Sequence, residues 1–135
     1  IDEADMQRIL AYLPTMIGSD GLPHDKHPHP RLWGAFPRVL GHYCRDLGLF
    51  SLETAVHKMT ALPAQTFGFK DRGVVREGAY ADLVVFDPNR IKDMATYENP
   101  LQQSQGIDYV FVNGTPSLML GNICHNRTGR VVRNY

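Results

Sequence analysis

Cysteine is nearly absent from the sequence, and the two that occur, Cys44 and Cys124, stand eighty positions apart with no Cys-x-x-Cys spacing. That usage excludes a disulfide framework and a zinc knuckle, and it predicts a reducing, cytoplasmic setting. Net charge is missing too, because 14 Lys and Arg balance 14 Asp and Glu. No field is available to hold a polyanion by counterion release, so nucleic acid is not expected as a partner. Long apolar runs are lacking: Leu83-Val84-Val85-Phe86 is a strand's length, against about 18 to 20 residues for a bilayer span, and no membrane span is expected. There is no Gly-x-Ser-x-Gly, no P-loop and no dinucleotide Gly-x-Gly-x-x-Gly, which leaves acyl-enzyme, nucleotide and nicotinamide chemistry without a foothold. The opening Ile-Asp-Glu-Ala-Asp-Met has neither an initiator Met nor the basic-then-apolar order of a signal peptide, and it reads as the interior of a longer protein.

What is present is globular. A 43% hydrophobic content with 21% charged residues supports a core, and 12 Gly with 9 Pro make loops prominent. With 135 residues the chain is one ordinary domain or parts of two. Met6, Ile9, Leu10 and Leu13 mark one helical face over residues 2–13, with Asp2, Glu3 and Asp5 at its positive end. Thr15-Met16-Ile17 predicts a short buried strand that ends on Gly18-Ser19-Asp20-Gly21, and the proline-rich stretch from Leu22 to Trp33 predicts an ordered loop. Helical spacing returns at Phe36, Val39, Leu40, Tyr43 and Leu47, with Pro37 in the first turn and Gly48 as the stop. Ser51 predicts the cap of a further helix through Met59, and Pro63 opens a short one to Phe67. After Gly73 the pattern becomes β: Val74-Val75, Ala81 to Asp87, Ile107 to Val112, and more weakly Ser117 to Leu120 and Val131-Val132, with Asn113-Gly114 as a hairpin signal. A boundary is therefore expected near residue 70.

Asp20 is the leading candidate for chemistry. An ionisable residue at the C-terminal end of a strand is where α/β barrels place catalytic groups, and flanking glycine leaves room for a water whose proton the carboxylate takes. An Asp among small residues equally suits an Asx turn or a helix cap. The cluster His24, Asp25, His27 and His29 has metal-capable groups at H-x-x-H and H-x-H spacing, yet two prolines fix its directions and nothing nearby completes a tetrahedron. A hydrogen-bonded loop or a substrate-facing lining explains it as well. Arg31 and Arg38 offer bidentate forks for a carboxylate, with a surface ion pair as the plainer use; Arg31, in the loop eleven residues after Asp20, is the better placed. His42, Tyr43, Cys44 and His57 lie on predicted helices without an adjacent base, and no role is assigned to them.

The order of motifs adds more than their composition. Met16-Ile17-Gly18-Ser19-Asp20-Gly21, His29-Pro30-Arg31, Gly34-Ala35-Phe36-Pro37-Arg38-Val39-Leu40 and Tyr43 resemble the N-acyl-D-amino-acid deacylases (D-aminoacylases) of the amidohydrolase superfamily. The resemblance continues through Lys58-Met59-Thr60, Leu62-Pro63-Ala64, Asp71-Arg72-Gly73, the run from Gly78 to Pro88, and Val112-Asn113-Gly114, and so covers nearly the whole chain. The Ala-Asp-Leu-Val-Val-Phe-Asp run is common to many amidohydrolases, whereas the order Ser-Asp-Gly, His-Pro-Arg, Phe-Pro-Arg is what points to the deacylase branch.

The resemblance implies an α/β fold: the C-terminal end of a metal-dependent (β/α)8 barrel followed by strands of a small β-sandwich domain. Residues 1–70 would hold the last barrel strand and its helices, and 71–135 the terminal strands of the sandwich. It implies hydrolysis of the amide of N-acyl-D-amino acids, small-molecule substrates, with zinc as cofactor polarising the carbonyl and acidifying a bound water. Asp20 would match the aspartate after the last barrel strand, which contacts the metal through that water and serves as general base and then acid. Arg31 would match the arginine that grips the α-carboxylate. A whole barrel needs about 250 residues, and the family's His-x-His pair, cysteine ligand and further histidines are expected upstream of this chain. His27-Pro28-His29 follows the aspartate instead of preceding it, so no ligand role is carried over to it. A different amidohydrolase, such as a cyclic-amide hydrolase, and a non-enzymatic module using the His-rich loop as a metal or partner site are the competing readings.

Overall fold

Helix α1, Glu3–Ala11, begins where the Asp2 side chain accepts the Asp5 N–H at 2.9 Å, and Glu3 and Asp5 lie in its first turn. The computed structural model describes residues 2–133 of the chain. Met6 and Leu10 face the core, while Ile9 and Leu13 of the expected apolar face are exposed. The helix ends at Ala11, and Thr15 to Ile17 runs on without becoming a strand. A strand needs a partner ladder; here the Ile17 N–H pairs instead with the Lys58 carbonyl at 3.1 Å.

Helix α2, Arg31–Arg38, starts five residues before the expected Phe36, inside the stretch read as loop. Pro37 is consequently within a helix, not in its first turn. Having no N–H, it leaves the carbonyl of Trp33, four residues earlier, without its helical partner. The Ser104 hydroxyl donates to that carbonyl at 3.1 Å and fills the gap. From Val39 to Asp46 the helix continues in the wider π winding. Helix α3, Leu52–Met59, is capped by Ser51, whose hydroxyl accepts the Thr54 N–H at 3.2 Å. Helix α4, Ala61–Thr66, follows after the break at Thr60, two residues ahead of the expected Pro63 start.

The second half forms one antiparallel sheet in the order β1-β2-β3-β4, with β1 Leu83–Phe86, β2 Ile107–Val112, β3 Thr115–Met119 and β4 Asn122–Ile123. Val112 pairs with Thr115, so Asn113-Gly114 is a two-residue turn, and positive φ at both (50° and 81°) gives the primed geometry that suits a twisted hairpin. Val74-Val75 and Val131-Val132, expected as strands, lie in irregular chain. The first is held in a loop closed by the Tyr80 N–H on the Asp71 carbonyl at 2.8 Å. Arg72 binds this loop to the sheet: it pairs with the Asp82 carboxylate, donates to Asn113 Oδ1 at 2.9 Å and lies 4.1 Å from the Tyr80 ring centroid. The Asp-Arg-Gly, Ala-Asp-Leu and Asn-Gly motifs thus meet in one structural knot.

Residues 87–106, between β1 and β2, fold back over the helices. Ile91 is buried with Leu10, Val39, Leu40, Tyr43 and Ala55, and Phe86 and Ile107 pack against the same cluster. Arg45 reaches the Ile91 carbonyl at 2.7 Å. A Cβ at Gly41 would lie 2.5 Å from the same carbonyl oxygen, and that oxygen is backbone and cannot swing aside. Gly41→Ala should therefore destabilise the protein by about 1 to 3 kcal/mol through overpacking, seen as an earlier midpoint in urea; an unchanged midpoint would show that the two segments separate freely.

Deep in the helical half, Lys58 is fully buried (0% exposed). Its ammonium donates to the carbonyls of Tyr12, Leu13 and Thr15 at 2.5, 3.2 and 3.2 Å. Three donors meet three acceptors, which is how a lone charge can be accommodated in an interior. Those carbonyls belong to the segment that leads to Asp20.

Candidate active site

Asp20 sits in the left-handed region at φ 48°, a conformation that Asp tolerates better than most residues. Its side chain is 79% exposed. Arg31, the first residue of α2, holds it at two points: Nε donates to the Asp20 carbonyl at 2.9 Å, and Nη2 meets carboxylate Oδ2 at 2.8 Å. The two leading sequence candidates are brought together, and the Asx-turn or cap alternative for Asp20 has no supporting hydrogen bond among the described residues. An exposed ion pair contributes only about 0 to 1 kcal/mol to stability, so the contact matters for geometry. The fork fixes both the unusual backbone and the direction of the carboxylate. Oδ1 is left as the open oxygen.

The histidines do not converge on a metal. His27 Nε2 contacts the Tyr97 carbonyl at 2.6 Å. His29 accepts the Arg31 N–H on Nδ1 at 3.0 Å, and its Nε2 lies 2.9 Å from the Tyr97 hydroxyl. His24 is exposed and makes no side-chain hydrogen bond among the described residues. Among those residues no group of three His, Cys, Asp or Glu side chains could hold a metal ion. The described residues therefore do not by themselves fit a zinc site. The hydrogen-bonded loop is the arrangement seen.

Arg38 pairs with Asp93 at 3.2 Å. Burial alone would lower the guanidinium's pKa, but the contacts with Asp93 and Tyr43 outweigh it and raise it. Burial pushes the Tyr43 phenol up, more than Arg38 offsets, and likewise raises the Cys44 thiol. Both stay protonated near neutrality. A cavity of about 320 Å³ opens between α2 and residues 93–98, lined by Arg31, Gly34, Arg38, Asp93, Ala95 and Tyr97. Neither Asp93 nor Tyr97 carries a local sequence signal. Each meets its partner more than fifty positions away, and no local spacing could have announced that.

The family model described as the amidohydrolase family matches residues 10–117. A D-aminoacylase of Alcaligenes xylosoxydans xylosoxydans is 60% identical over 132 residues, covering 98% of this chain and 27% of the relative. A solved D-aminoacylase, described as having a binuclear metal centre with one-metal activation and second-metal attenuation, superimposes with a TM-score of 0.96 at 60% identity, over 98% of this chain and 28% of that one. An N-acyl-D-glutamate deacylase from Bordetella bronchiseptica, solved with zinc and a phosphonate mimic of the tetrahedral intermediate, matches at a TM-score of 0.85 and 54% identity, over 86% and 24% of the two chains. The chain thus spans about a quarter of the length of the relatives it matches.

Proposed function

Because the chain belongs to the amidohydrolase family, we propose that it forms part of a longer, metal-dependent hydrolase that cleaves the amide of N-acyl-D-amino acids to a carboxylate and a free D-amino acid. Residues 1–70 would complete a (β/α)8 barrel and residues 71–135 would contribute strands to a small β-sandwich. In support, Leu13, Trp33, Phe36 and Leu47 are exposed apolar side chains in the helical half, a surface suited to packing against the remainder of a barrel. Zinc is the proposed cofactor, with its ligands outside these residues. The protein is proposed to be cytoplasmic, consistent with two free cysteines and with no helix of the described residues being long and apolar enough to cross a membrane.

The observation that carries the reading is the Asp20–Arg31 pair, formed from the motifs that resemble the deacylases and set on one exposed edge. Asp20 Oδ1 takes the proton of the attacking water and returns it to the leaving amine, a single carboxylate serving both half-reactions. Arg31 has five N–H donors, and the two engaged by Asp20 leave its Nη1 edge for the substrate α-carboxylate. Arg31→Ala in the longer protein should lower kcat/KM for N-acyl-D-amino acids by about 10- to 1000-fold. Steady-state kinetics against cyclic ureides provides the control. Hydrolysis of ureides that is insensitive to Arg31→Ala, with no turnover of N-acyl-D-amino acids, would assign the protein to another amidohydrolase class.

A further inference from the structure

Arg31 opens α2 behind Pro30, which supplies no side-chain cap. Its exposed N–H would have no protein partner but for His29, whose Nδ1 accepts it at 3.0 Å. That nitrogen therefore carries no proton, and the neutral ring is the Nε2–H tautomer. The Nε2–H is directed at the Tyr97 hydroxyl 2.9 Å away, with the two rings edge to face at 5.1 Å between centroids and 80° between planes. A second contact, His27 Nε2–H to the Tyr97 carbonyl at 2.6 Å, ties the other end of the loop to the same residue. The chain of contacts runs from Tyr97 through His29 to Arg31 and on to Asp20 by way of Nε and Nη2. Tyr97 comes from the segment between β1 and β2, so the sheet-bearing half of the chain reaches the candidate carboxylate through one ordered strut.

We propose that Tyr97, acting through His29 and Arg31, is a positioning residue for the Asp20 carboxylate. Tyr97 fixes the His29 ring, the ring fixes the first residue of α2, and the guanidinium so placed aims the carboxylate. Small displacements of a proton-transfer group cost rate, because turnover depends on the fraction of molecules in reactive geometry. Each link is a solvent-accessible hydrogen bond, so the effect of removing one is moderate. The inference rests on the amide-hydrolysis reading for its kinetic consequence, but not for its structural one.

The test uses Tyr97→Phe, which removes only the hydroxyl, with His29→Ala as the second variant, both in the full-length protein. With N-acyl-D-amino acid as substrate, Tyr97→Phe should lower kcat by about 3- to 10-fold. In an Asp20→Asn background the same change should have no further effect on kcat, since residues that act as a unit are non-additive. Crystal structures of the variants should show Arg31 Nη2 withdrawn from Asp20 Oδ2. An unmoved Arg31–Asp20 pair in both variants overturns the proposal, as does a loss that multiplies undiminished onto Asp20→Asn. If the pair opens in the crystal but the unmodified protein leaves N-acyl-D-amino acids intact, the hydrolase reading falls and the strut stands.

Discussion

Replacing Lys58 with Met should destabilise the protein by about 2 to 4 kcal/mol, the largest stability loss expected from one side chain here. The flexible thioether fills much of the same volume, so the effect isolates the ammonium. Without it the carbonyls of Tyr12, Leu13 and Thr15 lose their common donor. The turn between α1 and Asp20 is then held by the Thr15 N–H on the Tyr12 carbonyl, the Thr15 hydroxyl on the Ile9 carbonyl and the Ile17 N–H on the Lys58 carbonyl. Burial draws the Lys58 pKa below the ordinary lysine range. Between that lowered value and the unfolded one, the unfolded chain binds the proton more firmly, so the Lys58 contribution to stability rises with pH across this alkaline window and is flat below it. Lys58→Met should abolish the rise. Chemical denaturation of both proteins at neutral and alkaline pH measures the two effects together; equal midpoints at neutral pH would show that water replaces the ammonium without cost.

The distinction between what was legible in the sequence and what was not follows the range of the interaction that decides each element. Asn113-Gly114 and Ser51 act on neighbours two or three positions away, and the hairpin and the start of α3 appear where expected. Pro37 misled because the usual reading of a helical proline is a first-turn position. It is tolerated deep in a helix here because Ser104, far along the chain, satisfies the carbonyl it strands. Thr15 to Ile17 has strand composition, but composition supplies no partner. The Ile17 N–H goes to Lys58 instead, forty-one positions on. The candidate site divides in the same way. Asp20 and Arg31 were legible because the motif order is local and resembles a family. Tyr97, Asp93 and the role of Lys58 depend on contacts across forty to seventy residues, for which the sequence has no periodic signal.

Asp20→Asn in the full-length protein should reduce turnover by about 100- to 10,000-fold while substrate binding persists. The substitution keeps the shape of the side chain and its tolerance of the left-handed backbone at φ 48°. The amide oxygen can still accept from Arg31 Nη2, which sits 2.8 Å from Oδ2, so the local fold and the Arg31 fork should be retained. What is removed is basicity, since an amide neither takes a proton from water nor returns one to an amine. The prediction therefore separates proton transfer from architecture: KM should stay near its original value, and the thermal midpoint should shift little, because an exposed pair contributes only about 0 to 1 kcal/mol. Arg31→Ala should do the converse in part, loosening substrate binding and also freeing the carboxylate it holds. Near-normal turnover in Asp20→Asn would remove this carboxylate from the reaction, and a large loss of thermal stability would reassign it to holding the chain between α1 and α2.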